Sequence, residues 1–173
     1  MKQIIILFIF IAVFIPAFSQ EKKINEKDLP VQIIQYLQQT YPAKKEVEYY
    51  KKKEKDIIYF EAEFEVNKQE YNLKFSLNGV LLETEREIEL DELEPSIKQN
   101  ILTVLSENFM KIKIEKVQEV DPSGAKCFEV NVKVKKHKNN SQYKSRFYKL
   151  MFNITGQLLQ IEEVKLESIE SVF

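Results

Sequence analysis

Two rows of glutamates are the residues of this 173-residue chain whose type and spacing could do chemistry. They occupy alternate positions in two stretches: Glu61, Glu63 and Glu65, then Glu83, Glu85, Glu87 and Glu89. Side chains two positions apart on a β-strand share a face. Two facing rows would supply the acid and base of glycoside hydrolysis, or oxygen ligands for Ca²⁺. This pattern predicts, as an alternative function, a small envelope hydrolase that uses paired Glu carboxylates.

A solvated strand face balanced by lysines explains the same rows more simply. The chain also has no Trp, which counts against a sugar-binding cleft. His137 is the only histidine, and it lies in a basic, polar stretch typical of a solvated loop rather than of a general base. No phosphate-binding glycine loop, H-E-x-x-H or G-x-S-x-G motif is present. We therefore predict a protein that is not an enzyme, with no catalytic, cofactor-binding or metal-binding residues.

The single cysteine, Cys127, has no partner for a disulfide within its own chain. It begins a predicted strand in which Phe128, Val130 and Val132 point inward, so the thiol is expected on the opposite face. The position is typical of a partly covered structural thiol, and a disulfide to another molecule is the alternative.

A 15-residue pattern occurs twice in the chain and predicts two β-hairpins. Tyr71–Glu85 and Tyr148–Glu162 are identical at seven of fifteen positions. In each copy apolar residues alternate up to a turn glycine, Gly79 or Gly156, and a second extended run follows. The two copies indicate an internal duplication, which sets the expected architecture.

Two apolar stripes at four-residue spacing predict one amphipathic helix before each hairpin. The stripes are Leu29, Ile33, Leu37 and Tyr41, then Leu93, Ile97, Ile101, Leu105 and Phe109. Between each helix and its hairpin, two further extended runs predict two more strands: 44–53 and 57–66, then 111–120 and 128–134. The predicted fold class is α+β, with two tandem repeats of one helix followed by a four-stranded antiparallel sheet and the helices on one face. The expected boundaries are a mobile leader (20–27), a first repeat (28–90), a second repeat (91–167) and a tail (168–173).

The first 19 residues have the pattern of a secretory signal peptide. Lys2 is followed by an apolar run from Ile4 to Phe18, and Ala17-Phe18-Ser19 predicts cleavage after Ser19. An uncleaved anchor is the alternative, but 15 residues are short for a span that needs about 20. We expect a periplasmic or secreted protein with no stable membrane span after cleavage. Export, a pI near 6.0 and balanced charge (26 basic and 27 acidic residues) argue against nucleic acid as a partner.

Apolar residues on the predicted outer face of the sheet suggest a protein-binding surface. Large apolar side chains surrounded by charge are typical of such surfaces. The predicted partner-binding set is Tyr59, Glu61, Glu63, Lys74, Leu81, Phe147, Lys149, Met151 and Leu158. Two alternatives stay open: the two repeats bury these apolar residues against each other, or a β-bulge shifts the alternation.

Three motifs resemble those of the PepSY-like, β-lactamase-inhibitor-like (BLIP-like) proteins exported by Bacteroidetes. They are Leu29-Pro30 at the start of a helix, Tyr41-Pro42 at its end, and the hairpin Tyr71–Leu82, with a weaker copy in Tyr148–Leu159. The resemblance implies a tandem α+β module with an open sheet face for a protein partner. An exported hydrolase or peptidase is one class of partner, and modulation of an exported peptidase is a further hypothesis. No functional residue of the family is carried over.

Overall fold

The computed structural model describes residues 20–54, 56–135 and 145–164, which form one antiparallel sheet and two α-helices. The predicted signal peptide (1–19), His137 and the predicted tail (168–173) lie outside the described residues. The helices are α1 (Val31–Thr40) and α2 (Pro95–Asn108), preceded by 3-10 turns at Glu26–Asp28 and Leu90–Glu92. The strands are β1 (Gln20–Ile24), β2 (Lys45–Glu54), β3 (Ile57–Val66), β4 (Gln69–Phe75), β5 (Leu81–Glu87), β6 (Ile112–Pro122), β7 (Cys127–Lys135), β8 (Ser145–Asn153) and β9 (Leu158–Val164).

The prediction of an α+β fold made of two tandem repeats, each a helix with its own four-stranded sheet, was wrong. The structure is mostly β, with nine strands in one sheet in the order in which they occur along the chain. β5 pairs with β6, from Glu83 opposite Pro122 to Glu87 opposite Gln118. This pairing satisfies backbone groups that two separate sheets would have left on open edges. Residues 20–24 of the predicted mobile leader also belong to the sheet, as β1 paired with β2.

Both helices begin where local sequence signals place them, and α1 also ends at such a signal. Pro30 precedes the first residue of α1, and Pro95 is the first residue of α2, where a missing N–H costs nothing. At the end of α1 the Tyr41 N–H donates to the Leu37 carbonyl, 3.1 Å away, and Pro42 follows. The Leu-Pro and Tyr-Pro signals for α1 are therefore confirmed.

The helices cover two apolar cores that lie on the same face of the sheet. Ile33 and Leu37 of α1 are buried with side chains of β2–β4, and Ile101 and Leu105 of α2 with side chains of β6–β8. Directly opposite residues of paired strands share a face, so the register connects the two cores. Leu73 of the core under α1 lies opposite Thr84, which lies opposite Asp121. Glu119, two residues before Asp121 and on the same face, lies opposite Phe128 of the core under α2. We call the other side, which neither helix contacts, the helix-free face.

The two predicted hairpins are confirmed as β4–β5 and β8–β9, and the turn of each contacts a helix. At the second turn, the Asn100 side-chain amide of α2 donates to the Thr155 carbonyl, 2.8 Å away. Gly156 beside it has φ +78°, and a Cβ there would lie 2.8 Å from the Ile97 carbonyl oxygen. Only glycine fits this position, because it tolerates both the dihedral and the close approach of the helix backbone.

Substitution of Gly156 by Ala is expected to lower the free energy of unfolding by about 1–3 kcal/mol. The added methyl group is strained by the positive φ and collides with the backbone of α2. Gly124→Ala is the matched control, because Gly124 also has a positive φ (+93°) but no atom within 4 Å of its added Cβ. Urea unfolding of both variants measures the difference. Equal losses would contradict the proposed packing of the turn on α2.

Candidate binding face

Two of the nine predicted partner-binding residues, Leu81 and Leu158, do not lie on the helix-free face. Leu81 packs against the core under α1, and Leu158 against the core under α2. The reason is a β-bulge in each hairpin: Lys74 is opposite Glu83 but Phe75 is opposite Leu81, and the same skip occurs between Met151 and Phe152. One extra residue reverses the alternation. The prediction that these two leucines point away from the helices was wrong.

The other seven predicted residues lie on the helix-free face, in two groups toward opposite edges of the sheet. Their positions follow from the strand register, and they are Tyr59, Glu61, Glu63 and Lys74 on β3 and β4, and Phe147, Lys149 and Met151 on β8. The two outermost strands of this set, β3 and β8, are five strand spacings apart, roughly 24 Å. The structure therefore does not gather them into one patch, and their binding role stays a prediction.

Lys52 is the centre of the first group, with three carboxylates around its ammonium. Its Nζ lies 2.7 Å from Glu61 Oε1, 3.2 Å from Glu21 Oε2 and 3.6 Å from Glu63 Oε1. Glu61 is only 2% exposed and also accepts a 2.7 Å hydrogen bond from the Asn72 amide. Burial disfavours the charge on Lys52, but hydrogen bonds and attraction from Glu61 and Glu21 outweigh it and raise the pKa of Lys52. The ammonium is therefore held charged.

Glu63 is the carboxylate of this group that is least well neutralised. Partial burial, a hydrogen bond with Glu61 and repulsion from Glu61 raise the pKa of Glu63 to about 7, against an opposing attraction from Lys52. The Glu63 carboxyl therefore keeps its proton up to near-neutral pH. Glu61 and Glu63 lie side by side because residues two apart on β3 point to the same face. The Lys52 ammonium is the cation nearest to both carboxylates.

Lys74 links the next two strands on the same face. Its Nζ lies 2.5 Å from Glu83 Oε1 and 2.9 Å from Glu85 Oε1. The other oxygen of Glu85 accepts a 3.3 Å hydrogen bond from the Gln118 amide of β6. Burial works against the charge of Glu85, but Lys74 outweighs it and lowers the pKa of that carboxyl. These glutamates are thus engaged by a lysine, as expected for an electrostatic surface.

On β7 and β8, too, a glutamate of the helix-free face is paired with a lysine, and a buried amide donates to the same carboxylate. Glu129 pairs with Lys149 at 3.0 Å and accepts a 2.8 Å hydrogen bond from the side chain of Asn131, which is 2% exposed. The Lys133 ammonium lies 5.3 Å from the centre of the Phe147 ring. Two buried amide oxygens on the helix-free face, Asn131 Oδ1 and Asn72 Oδ1, accept no hydrogen bond within the described part of the chain.

Sequence reasoning missed several residues of the face that the register reveals. They are Glu21, Tyr50, Lys52, Gln118, Glu129 and Asn131. Residues 20–24 belong to the predicted leader, so no face is predicted for the side chains of β1. One available signal was the alternation of Glu48, Tyr50 and Lys52, which places all three on the same side of β2.

The geometry gives little support to the alternative of a hydrolase with paired carboxylates. A cavity of about 370 Å³ beside β1 is lined by Lys22, Lys23, Ile24, Asn25, Asp28, Lys51 and Phe60. Asp28 is the one carboxylate in this lining, so the cavity holds no pair of carboxylates. The glutamate rows lie elsewhere, on the helix-free face, with Glu61, Glu83 and Glu85 engaged by lysines. Among residues 20–54, 56–135 and 145–164, no group of three His, Cys, Asp or Glu side chains is placed to hold a metal ion.

Cys127 is buried on the helix-free face, where its thiol donates to the Val120 carbonyl, 3.5 Å away. Burial and nearby carboxylates raise the pKa of the thiol, which keeps it protonated and weakly nucleophilic. This environment fits the interpretation as a structural thiol.

Neither described helix is long and apolar enough to cross a bilayer.

Solved structures from Bacteroides share this fold at low sequence identity. A DUF2874 family protein from Bacteroides ovatus ATCC 8483 is 21% identical, with a TM-score of 0.61 over 79% of this chain and 88% of that one. A BLIP-like protein from Bacteroides fragilis NCTC 9343 is 19% identical, with a TM-score of 0.57 over 79% and 86%. A protein from Bacteroides eggerthii DSM 20697, assigned provisionally to the periplasm, is 16% identical, with a TM-score of 0.62 over 82% and 94%.

No protein-family model and no curated protein sequence matches the chain. Identities of 16–21% establish a common fold and nothing about a common activity. The chain therefore has the fold of BLIP-like and DUF2874 proteins. The PepSY-like part of the resemblance and the tandem repeat receive no support from these structures.

The raised pKa of Glu63 makes stability depend on pH in a defined direction. The pKa of Glu63 rises from 4.5 to about 7 on folding, so the folded state binds more protons than the unfolded state between these values. The free energy of unfolding should therefore fall as pH rises through this window. Because the Glu63 side chain is 41% exposed, solvent screening limits the fall to about 1 kcal/mol.

Glu63→Gln should remove this pH dependence, since the amide does not titrate. Urea unfolding at pH 5, 6, 7 and 8 measures the difference between wild type and variant. Glu107→Gln, an exposed position on α2, is the matched control and should keep the wild-type slope. If Glu63→Gln and wild type lost stability in parallel, the raised pKa of Glu63 would be refuted.

Proposed function

We propose that this chain is an exported, non-enzymatic binding or inhibitor-like module that holds a protein partner on its helix-free face. The observation that supports this best is the one-sided placement of α1 and α2. A sheet whose second face is covered by neither helix, and that carries half-buried aromatic and Met side chains among charges, suits recognition of another protein. The fold shared with a BLIP-like protein is consistent with that role.

The proposed anchors are Phe147 and Met151 on β8, with Tyr59 on β3 at the other side of the face. The aromatic rings of Phe147 and Tyr59 turn about only two χ angles and therefore lose little conformational freedom on binding, and the flexible Met151 side chain adds apolar area that can adapt to a partner. Lys149 is held by Glu129 between the two β8 anchors. The ion pairs of Lys74 with Glu83 and Glu85, which lie between the two groups, would steer the partner and fix its orientation. The anchors would supply most of the affinity.

The proposed location is the periplasm or the exterior, reached through cleavage of residues 1–19. The apolar run from Ile4 to Phe18 and the small residues before Gln20 support this, and so does the provisional periplasmic assignment of a protein with the same fold. An exported hydrolase or peptidase is the partner class that the resemblance favours. Nucleic acid is not expected as a partner.

Cleavage after Ser19 predicts that the exported protein starts at Gln20. Intact-mass analysis and N-terminal sequencing of protein recovered from the periplasm and the culture medium would test this. The expected mass is that of residues 20–173. Full-length protein in the membrane fraction, with Met1 retained, would favour the uncleaved anchor instead.

Met151→Ala and Phe147→Ala should each weaken capture of the partner at least fivefold, about 1 kcal/mol, without unfolding the protein. Purified residues 20–173 on beads would capture partners from periplasmic extract, and mass spectrometry would quantify them. Met110→Ala is the matched control, because Met110 is fully exposed and lies outside the face. Thermal unfolding checks the fold of each variant. Equal capture by Met151→Ala and Met110→Ala would contradict the proposed face.

A further inference from the structure

Exposed apolar side chains are concentrated at the end of the sheet where α1 begins. β2 ends and β3 begins at the same end as β4 ends and β5 begins, two strand spacings apart, roughly 10 Å. The β4–β5 turn contacts the start of α1, because a Cβ on Gly79 would lie 2.9 Å from Gln32 Cβ and 3.5 Å from Pro30 Cβ. Five of the ten large apolar side chains that are exposed in the described part of the chain lie here. We call them the apolar tip: Val31, Ile57, Ile58, Leu77 and Val80, which are 38–66% exposed. Such a concentration indicates contact with another molecule or with a membrane.

Beside the apolar tip, the cavity next to β1 presents positive charge. Lys22 of β1 lies directly opposite Lys51 of β2, and both line this cavity of about 370 Å³. The ion pairs of these two strands use Lys23 and Lys52, and none in the described part of the chain uses Lys22 or Lys51. Like charges directly opposite each other on paired strands are destabilising. An anion in the cavity would therefore neutralise a repulsive pair.

The cavity and the apolar tip belong to one surface, on the side of the sheet that α1 covers. The Phe60 ring lines the cavity, with the Lys51 ammonium 5.9 Å from its centre. Ile58 of the tip lies two residues from Phe60, therefore on the same face, and directly opposite Lys53. Lys53 in turn is two residues from Lys51 and continues the row of lysines toward the tip. The surface is thus amphipathic, with apolar side chains at its outer end and ammonium groups behind them.

Carboxylates near this surface reduce its positive charge. Asp28 lines the cavity, where its Oδ2 accepts the backbone N–H of Asn25 at 3.3 Å. Glu54 is the last residue of β2, and Asp56 precedes the first residue of β3. Attraction of an anion is therefore moderate, and the apolar tip has to supply most of the binding free energy.

The path of the chain indicates what covers this surface. Gln20, the first residue of β1, lies opposite Lys53 and therefore at the same end of the sheet as the apolar tip. The residues before Gln20 include the apolar run Ile4–Phe18 of the predicted signal peptide. A membrane-inserted segment joined to the chain at Gln20 brings this end of the sheet next to the bilayer during export, whether or not cleavage follows. This connection favours a bilayer over a second protein as the occupant.

We propose that the apolar tip, together with Lys22, Lys51 and Lys53, is a membrane-contact surface that binds a phospholipid bilayer with anionic headgroups. The tip side chains enter the boundary between headgroups and acyl chains, and the ammonium groups contact headgroup phosphates. This is attachment to one leaflet without a membrane span. The inference goes beyond the proposed function and is independent of it, because none of the proposed anchors on β3 and β8 belongs to the tip.

The test is sedimentation of residues 20–173 with sucrose-loaded vesicles of phosphatidylcholine and phosphatidylglycerol in a ratio of about 3:1. We expect saturable binding that is at least threefold tighter than to phosphatidylcholine alone. Ile57→Ser combined with Leu77→Ser should weaken binding about tenfold, since each change removes apolar area from the tip. Met110→Ser combined with Ile161→Ser is the matched control, because both side chains are exposed but lie outside the tip. Lys51→Gln with Lys53→Gln should abolish the preference for phosphatidylglycerol.

A polarity-sensitive fluorophore locates the part of the protein that enters the bilayer. Attached to Val80→Cys, it should shift its emission to the blue on addition of vesicles, whereas on Met110→Cys it should not; Cys127 is buried and is not expected to react. Urea unfolding verifies the fold of each variant.

Equal vesicle binding by the tip variant and its matched control would overturn the proposal, as would equal blue shifts at both labelled positions. If the tip variant instead lost capture of the protein partner and kept vesicle binding, the tip would belong to a protein interface. The outcome is separate from that of the proposed function. Failure of vesicle binding with loss of capture by Met151→Ala removes only the membrane contact, whereas the reverse result removes only the β8 anchors.

Discussion

The pairing of β5 with β6 is the constraint on which the rest of the structure depends. Opposite residues of antiparallel strands share a face, so the register of this one pair decides on which side α2 lies relative to α1. With Thr84 opposite Asp121, both helices lie on the same side. A shift of one residue would move α2 to the other side and cover the helix-free face. The one-sided architecture is therefore a consequence of a single strand register.

Side-chain contacts across this pair hold the register in place. The guanidinium of Arg86 lies 3.5 Å from Glu119, and the Lys116 ammonium lies 3.4 Å from Glu87. Beyond the strand end, the Ser123 hydroxyl donates to the Leu82 carbonyl at 3.1 Å. Each of these contacts is worth little alone because most are partly exposed. Together they disfavour a shifted register, in which like charges would face each other.

Local signals predicted most elements, whereas pairing between distant segments had no local signal. The Tyr71–Glu85 and Tyr148–Glu162 hairpins, and the helix after Pro30, follow from periodicity and turn residues that lie within about 15 positions. The joining of β5 to β6 depends on edges that only meet in three dimensions. β1 was missed because its alternation is hidden in a short, highly charged run. A β-bulge was an open alternative, but its position in each hairpin had no local signal, because one extra residue leaves the apolar pattern almost unchanged while reversing Leu81 and Leu158.

These bulges also bear on the binding role proposed for the helix-free face. By turning Leu81 and Leu158 toward the helices, they remove two apolar side chains from that face and leave Phe147 and Met151 on β8 as its main apolar group. Between β8 and Tyr59 lie the ion pairs of Lys74 with Glu83 and Glu85 and of Lys149 with Glu129. The buried pair of Lys52 and Glu61 lies at the β2–β3 end of the same face. A buried ion pair contributes little net stability, since desolvation offsets attraction. A ligand that uses both sides must extend over roughly 24 Å of sheet. That distance suits the surface of a folded protein, which buries about 800 Å² per partner, and exceeds the reach of a small molecule.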